Sequence, residues 1–285
     1  MTVRVLVSMA FPIVLSLAAC GSDNGSSTST GGAGGTGGSG TGGSGTGTTS
    51  TGTTSSSSSS GTTTSSSTTT SSSSSSSSSS GGTSCTAARD QALGPIDMVS
   101  AGEIIVLATD GNAKTLYVDG SAGGTVAAPQ NPWIYVSLKN ATKVAVTDVS
   151  SFTSSDWDLA LKRPLLRTNS GDGGPGNGGA AFLEGKTFDA VTAADATSAT
   201  IAPETWFDAD CNLSTDQTGA IATTFTGWYD YDTSTNKLSA HPGVFIVRGG
   251  DGSLYKVEIL DYYSNPDGTA GLSGGRYKLR VGPLQ

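Results

Sequence analysis

Val244-Phe245-Ile246-Val247-Arg248, Gly249-Gly250-Asp251-Gly252, then Ser253-Leu254-Tyr255-Lys256-Val257-Glu258-Ile259 and on to Tyr263 is the stretch that decides the fold. Both flanks carry β-type apolar patterning, in which successive side chains point to opposite faces of a strand. The glycines and Asp251 between them supply the chemistry of a hairpin turn. Val244–Arg248 and Ser253–Tyr263 are therefore predicted as antiparallel partners. Downstream, Gly275–Val281 reads as a third strand that completes a meander. Its Tyr277, Leu279 and Val281 share a buried face, while Arg276, Lys278 and Arg280 fall on a solvated one.

Working outward, the same period recurs at Glu103–Thr109, Thr115–Val118, Trp133–Leu138, Lys143–Thr147, Trp157–Lys162 and Thr223–Tyr231. Asp110-Gly111-Asn112, Asp119-Gly120 and Asn265-Pro266-Asp267-Gly268 punctuate the runs as turns. A helical period is confined to a short turn at Ala87–Ala92. The prediction is an all-β domain of antiparallel sheets and meanders joined by short turns.

Upstream the composition changes twice. Residues 1–20 carry 15 apolar side chains and one charge, Arg4. The run is shorter than the ~20 apolar residues of a spanning helix and has the layout of a secretory signal. It ends Leu17-Ala18-Ala19-Cys20, which looks like a bacterial lipobox, so residues 1–19 are expected to be removed and Cys20 to be lipidated. Gly21 follows, not the Asp that often retains such proteins at the inner membrane, which points to the outer membrane. Residues 21–84 are Gly, Ser and Thr apart from Asp23, Asn24 and Ala33. Such a segment has too little apolar surface to offset the entropy of ordering. With Cys20 it is expected to form a tether over 20–84, with a root-mean-square span of roughly 40–48 Å. The folded domain is then placed at 85–285, where about 42% of residues are apolar, near the ~45–50% of globular domains.

With Cys20 lipidated, Cys85 and Cys211 remain as an even pair in an exported domain, which favours a disulfide. The charges narrow the partners. The chain's net charge of −8 belongs to the domain, and no basic run exists, which argues against nucleic acid.

The residues also carry a resemblance. Ser155-Asp156-Trp157-Asp158-Leu159-Ala160-Leu161, then Arg163, then Arg167-Thr168-Asn169-Ser170-Gly171 and glycine-rich turns to Gly178-Gly179-Ala180 resemble the HmuY family. The strand Trp133–Leu138 and the C-terminal Val244–Arg248, Asp251-Gly252, Tyr255-Lys256-Val257 and Tyr262-Tyr263 run are similar to it as well. The likeness spans roughly Pro132 to the C-terminus, and its WD and RTNSG segments are the most specific part. It implies an all-β lipoprotein of the bacterial envelope. The founding members are haemophores, which bind haem between two axial side chains, His or Met, and pass it to an outer-membrane receptor. Where relatives often place a His before the Arg of the WD segment, this chain has Lys162, a poor iron ligand while protonated.

The domain holds one histidine, His241, and one methionine, Met98. These are the candidate haem ligands; a turn histidine with its edge in water is the alternative. Tyr262 and Tyr263 could offer a phenolate, but adjacent strand residues face opposite ways. Asp208–Asp216 spaces oxygens as calcium loops do, yet puts Leu213 and Gly219 where the EF-hand pattern needs Gly and Glu. It is read as a polar loop, and no metal site is assigned. Ser170–Gly179 lacks the Gly-Lys-Ser/Thr of a phosphate loop; Arg167, Thr168 and Asn169 are expected to hydrogen-bond its backbone. Trp133, Trp157, Trp206 and Trp228 are read as core as a set, with the floor of a flat aromatic ligand's pocket the alternative for one or two of them. No catalytic constellation emerges. His241 would be the only base and no Gly-x-Ser-x-Gly elbow exists, while Asp156/Asp158 and Asp230/Asp232 are read as same-face strand acids.

Two functions remain open. One is an outer-membrane-anchored lipoprotein capturing haem or a similar flat ligand for uptake. The other is a tethered envelope domain of the same fold that binds protein or glycan and no haem.

Overall fold

The computed structural model describes residues 85–284. The signal peptide, Cys20 and the tether expected over 1–84 lie outside the described residues.

In chain order the elements are α1 (Thr86–Leu93), β1 (Ile104–Asp110), β2 (Ala113–Asp119), β3 (Ile134–Ser137), β4 (Thr142–Val144), α2 (Asp148–Ser151), β5 (Leu159–Lys162), β6 (Leu165–Thr168), β7 (Gly179–Glu184), α3 (Ala193–Ser198), β8 (Tyr229–Asp232), β9 (Lys237–Ala240), β10 (Gly243–Arg248), β11 (Leu254–Asp261) and β12 (Arg276–Pro283). They form a six-stranded sheet in the order β1-β2-β12-β11-β10-β7, a four-stranded sheet β4-β3-β5-β6, and the hairpin β8-β9. Every strand pair is antiparallel. The fold is all-β.

The period-two pattern explains the layers. On β3, Ile134 and Val136 join Leu159, Leu161, Val257 and Leu279 in the largest buried cluster. Trp133 and Tyr135, one residue out of phase, pack with Trp157 and Ala160 on the opposite face of their sheet. Likewise Phe245 and Val247 of β10 point into the first cluster, while Val244 and Ile246 meet Phe188 and Val191. Central strands are thus covered on both faces, which is why β3 and the middle of β10 are continuously buried.

The meander predicted from β10, β11 and β12 is present, with Tyr277, Leu279 and Val281 buried. Its basic face departs from expectation. Arg280 pairs with Asp110 and Asp189 and lies over the Phe188 ring, and Lys278 donates to the Gly268 carbonyl at 3.0 Å. These side chains are half-buried because the loop around Phe188 and the β11–β12 connection close over that face.

Three strands were not anticipated, β6, β7 and β9. Of the predicted Thr223–Tyr231 strand, the segment before Tyr229 is turn-like, with Thr226 N–H donating to Thr223 O and Trp228 N–H to Phe225 O. The predicted Lys143–Thr147 strand stops at Val144, because Thr147 caps α2 and exchanges hydrogen bonds with Ser150. The short helical turn predicted at Ala87–Ala92 is α1.

Cys85 and Cys211 are bonded, 126 residues apart in sequence, tying the segment before α1 to the loop after Trp206. In the chain-entropy account, opening so long a loop costs up to about 4–5 kcal/mol. The double variant Cys85→Ser/Cys211→Ser should therefore unfold at clearly lower urea concentration with its sheets intact before the transition. An unchanged midpoint would show that the bridge adds nothing.

Candidate functional site

The WD and RTNSG segments build a buried hydrogen-bond knot, not an open site. Trp157 is fully buried and its Nε1–H donates to Ser151 O at 3.1 Å. Asp158 accepts from Leu138 N–H at 2.7 Å and from Gly250 N–H at 3.0 Å. Leu138 follows β3 of one sheet and Gly250 lies in the β10–β11 turn of the other, so one carboxylate joins both. Its burial raises the carboxyl pKa, while those two N–H bonds pull it back. The pairing of Asp156 with Asp158 on one strand face does not occur: Asp156 is exposed before β5 and contacts Ser154.

Arg167 is 0% exposed. Its guanidinium donates to Gly173 O at 2.8 Å and Tyr135 Oη at 2.8 Å, and it lies within 4.9–5.7 Å of the Trp133, Tyr135, Phe152, Trp157 and Trp206 ring centres. The counter-charge arrives through Tyr135, which donates to Asp148 at 2.9 Å. Asn169 Nδ2 donates to Ser154 O and Trp157 O, and its Oδ1 accepts from Gly176 N–H. A Cβ at Gly176 would lie 2.7 Å from Asn169 O and 2.8 Å from Gly250 Cα, so the glycine is needed for close backbone approach. Arg167 and Asn169 thus bond the glycine-rich loop, and Thr168 N–H instead meets Glu204 Oε1 at 2.8 Å.

The candidate ligand residue His241 lies elsewhere. His241 follows β9, with its N–H donating to Trp228 O at 2.9 Å. Its Nε2 is 2.9 Å from Asp230 Oδ1, with the imidazole 35% and the carboxylate 82% exposed. His241 lines a largely polar cavity of about 350 Å3 with Glu258, Asp261 and Tyr262. Asp230 lines the neighbouring cleft, of about 290 Å3, together with Pro164, Leu165, Phe225, Trp228, Tyr229 and Tyr231. The His241–Asp230 pair stands between the two. Trp228 anchors the aromatic wall: its Nε1–H donates to Pro164 O at 2.8 Å, and its ring packs against Tyr229, Tyr262 and Tyr277. Tyr231 forms the exposed rim, at 51%.

Met98 does not line the His241 cavity; it lies between α1 and β1, 52% exposed. Lys162 shares the strand face of Ala160, opposite Leu161, and burial lowers its ammonium pKa. Tyr262 borders the His241 cavity, but burial pushes its phenol up to about 12, which opposes a phenolate. The donor set therefore does not assemble a His–Met axial pair. Among the described residues no group of three or more His, Cys, Asp and Glu is placed to hold a metal ion. In the Asp208 loop the Asp208 carboxylate accepts from Asp210 and Asn212 N–H groups. The four tryptophans are buried.

Asp230 was not connected to His241 by reading the sequence. The signal was the β8–β9 register, Tyr229 opposite Ala240, which makes Asp230 and His241 diagonal neighbours. A single strand over Thr223–Tyr231 hides it, since β8 begins only at Tyr229.

The turn of this hairpin carries a pH signature. Asp232 accepts from Ser234 and Thr235 hydroxyls, which lower its carboxyl pKa to about 2 from an ordinary 3.8. A depressed acid stabilises the fold above its unfolded pKa, and that contribution is lost as pH falls through the folded value. An NMR titration of the Asp232 carboxyl carbon should give a midpoint near 2. A midpoint at the ordinary value would remove the hydroxyl contacts from the account.

Residues 129–274 match the family described as HmuY protein. No curated protein matches the chain. Among solved structures, a protein from Bacteroides fragilis described as a lipoprotein aligns at 16% identity over 64% of this chain and 96% of its own, with a TM-score of 0.40. A protein described as HmuY-like and haem-binding, from Bacteroides vulgatus, aligns at 19% over 64% and 98%, with a TM-score of 0.39. The apo HmuY analogue of Tannerella forsythia aligns at 16% over 64% and 97%, with a TM-score of 0.38. The family match covers more than half of the sequence and includes the whole WD and RTNSG knot, and the chain belongs to the HmuY family.

Proposed function

We propose that this chain is an outer-membrane-anchored lipoprotein whose HmuY-family domain binds a flat, largely apolar ligand, haem included, for uptake through a membrane receptor. In this reading residues 1–19 are the signal peptide, Cys20 carries the lipid, and residues 20–84 hold the domain, from Cys85 onward, away from the membrane. The role is capture, not catalysis.

The observation that carries the reading is the cleft rimmed by Tyr229 and Tyr231 over the buried Phe225 and Trp228, with the His241–Asp230 pair at its edge. Aromatic walls with a few placed polar groups suit a flat ligand. His241 is the imidazole that such a ligand would meet; an iron centre would supply a Lewis acid for it. Asp230 holds the imidazole in place at Nε2, so iron ligation at that nitrogen requires the contact to open. Met98 takes no part. The second reading, a protein- or glycan-binding domain without haem, is favoured by that missing second ligand.

A haem titration of the full-length chain, followed at the Soret band in ferric and ferrous states, separates the two. Saturable one-to-one binding is expected, weakened by Tyr231→Ala and spectrally altered by His241→Ala. Saturation with the His241→Ala spectrum unchanged would keep haem but remove His241 as a ligand. No shift beyond that of haem in buffer would leave the protein- or glycan-binding reading.

A further inference from the structure

We propose that a second cleft, independent of the aromatic one, binds an oxyanion: the carboxylate or phosphate group of a small ligand. It has a volume of about 370 Å3, and its chemistry comes from Arg163, Arg276, Ser121, Thr125 and Ser273, with glycine backbone between them. No Asp or Glu lines it, in a chain of net charge −8. None of the ion pairs among the described residues includes Arg163 or Arg276. No acid lines this pocket, and the adjoining one that Arg276 also borders is lined by Asp119; two guanidinium groups on one cleft attract and orient planar or tetrahedral oxyanions through paired N–H bonds.

The cleft is held in shape from several sides. Arg163 donates from Nη1 to Gly274 O at 2.6 Å and from Nη2 to Thr125 Oγ1 at 3.0 Å. Tyr277 Oη donates to Arg163 O at 2.6 Å. This arrangement pins the guanidinium across the loops and removes ordering cost from binding. Ala122 and Arg163 hold positive φ of 49° and 54°, beside Gly123, Gly124 and Gly275 at 76°, 91° and 85°, which glycine adopts freely. Non-glycine residues with positive φ persist where the surroundings over-determine them, and they cluster at ligand sites.

Arg276 is half-buried, and its Nε, like that of Arg167, is buried without a hydrogen-bond partner. Its strand neighbour Asp119, opposite it on β2, instead accepts from Ser121 N–H at 3.0 Å. Within the Arg276-Lys278-Arg280 alternation, Lys278 and Arg280 have protein acceptors. Arg276 has none in an ion pair and faces the cleft.

Calorimetric titration of the full-length chain with inorganic phosphate and, separately, with succinate tests this at constant ionic strength in chloride. Saturable one-site binding of at least one probe is expected, and the tighter probe identifies the phosphate or carboxylate class. Arg276→Gln and Arg163→Gln should each weaken it by about tenfold or more, the effect of losing a charge-assisted hydrogen bond. Arg276→Lys, which keeps the charge but not the fork, should also weaken it, and Lys278→Gln should leave it unchanged. Because Arg163 also braces the loops, near-UV circular dichroism checks each variant. The bound probe should raise the wild-type melting temperature above that in matched chloride. Heat of dilution alone with both probes, or saturable binding unaltered by Arg276→Gln in a folded variant, would overturn the assignment.

Discussion

A single buried carboxylate joins the two main sheets. Asp158 takes one amide from Leu138, at the end of β3, and one from Gly250, in the turn between β10 and β11. Taking such a charge out of water is costly, and the raised pKa of Asp158 records that cost. What the fold gains is register: the position of the β10–β11 turn is fixed against the WD strand. Asn169 tightens the same junction, bonding Trp157 O on one side and Gly176 N–H on the other. Glycines 176 and 250 are then required, because side chains there would collide with this backbone.

The Arg167 cage extends the junction across the outer face of the four-stranded sheet. A buried guanidinium without a direct carboxylate partner needs other compensation. It finds this in aromatic faces, the Gly173 carbonyl and the Tyr135 hydroxyl, with Asp148 one hydrogen bond further on. The most specific sequence signature of the family is thus spent on architecture. The two clefts proposed here for ligands lie at the β5–β6 turn, the β8–β9 hairpin and the loops around residues 121–125 and 273–275.

The division explains what could be read in advance. The meander of β10, β11 and β12 was legible because Tyr277, Leu279 and Val281 alternate with charged side chains. Strand β6 was not, because Arg167 at its centre looks like a solvated residue until Trp133, Phe152, Trp157 and Trp206 are assembled around it. β7 runs through Gly179-Ala180-Ala181, which carries little β signal, and β9 is four residues long. Single residues of the candidate sites were visible, His241 above all. Their partners were not: Asp230 depends on a hairpin register, and Arg163 and Arg276 line one cleft from a turn and a strand far apart in sequence.

Native-state hydrogen exchange tests most directly whether the WD and RTNSG segments lock the sheets together. The amides of Leu138, Gly250 and Gly176, each donated to a knot side chain, should exchange only through global unfolding, with the same denaturant dependence as the core strands. Exchange of Gly250 and Leu138 through a smaller opening, while β3 and β11 remain protected, would show that the sheets hold together without the knot and would contradict the account.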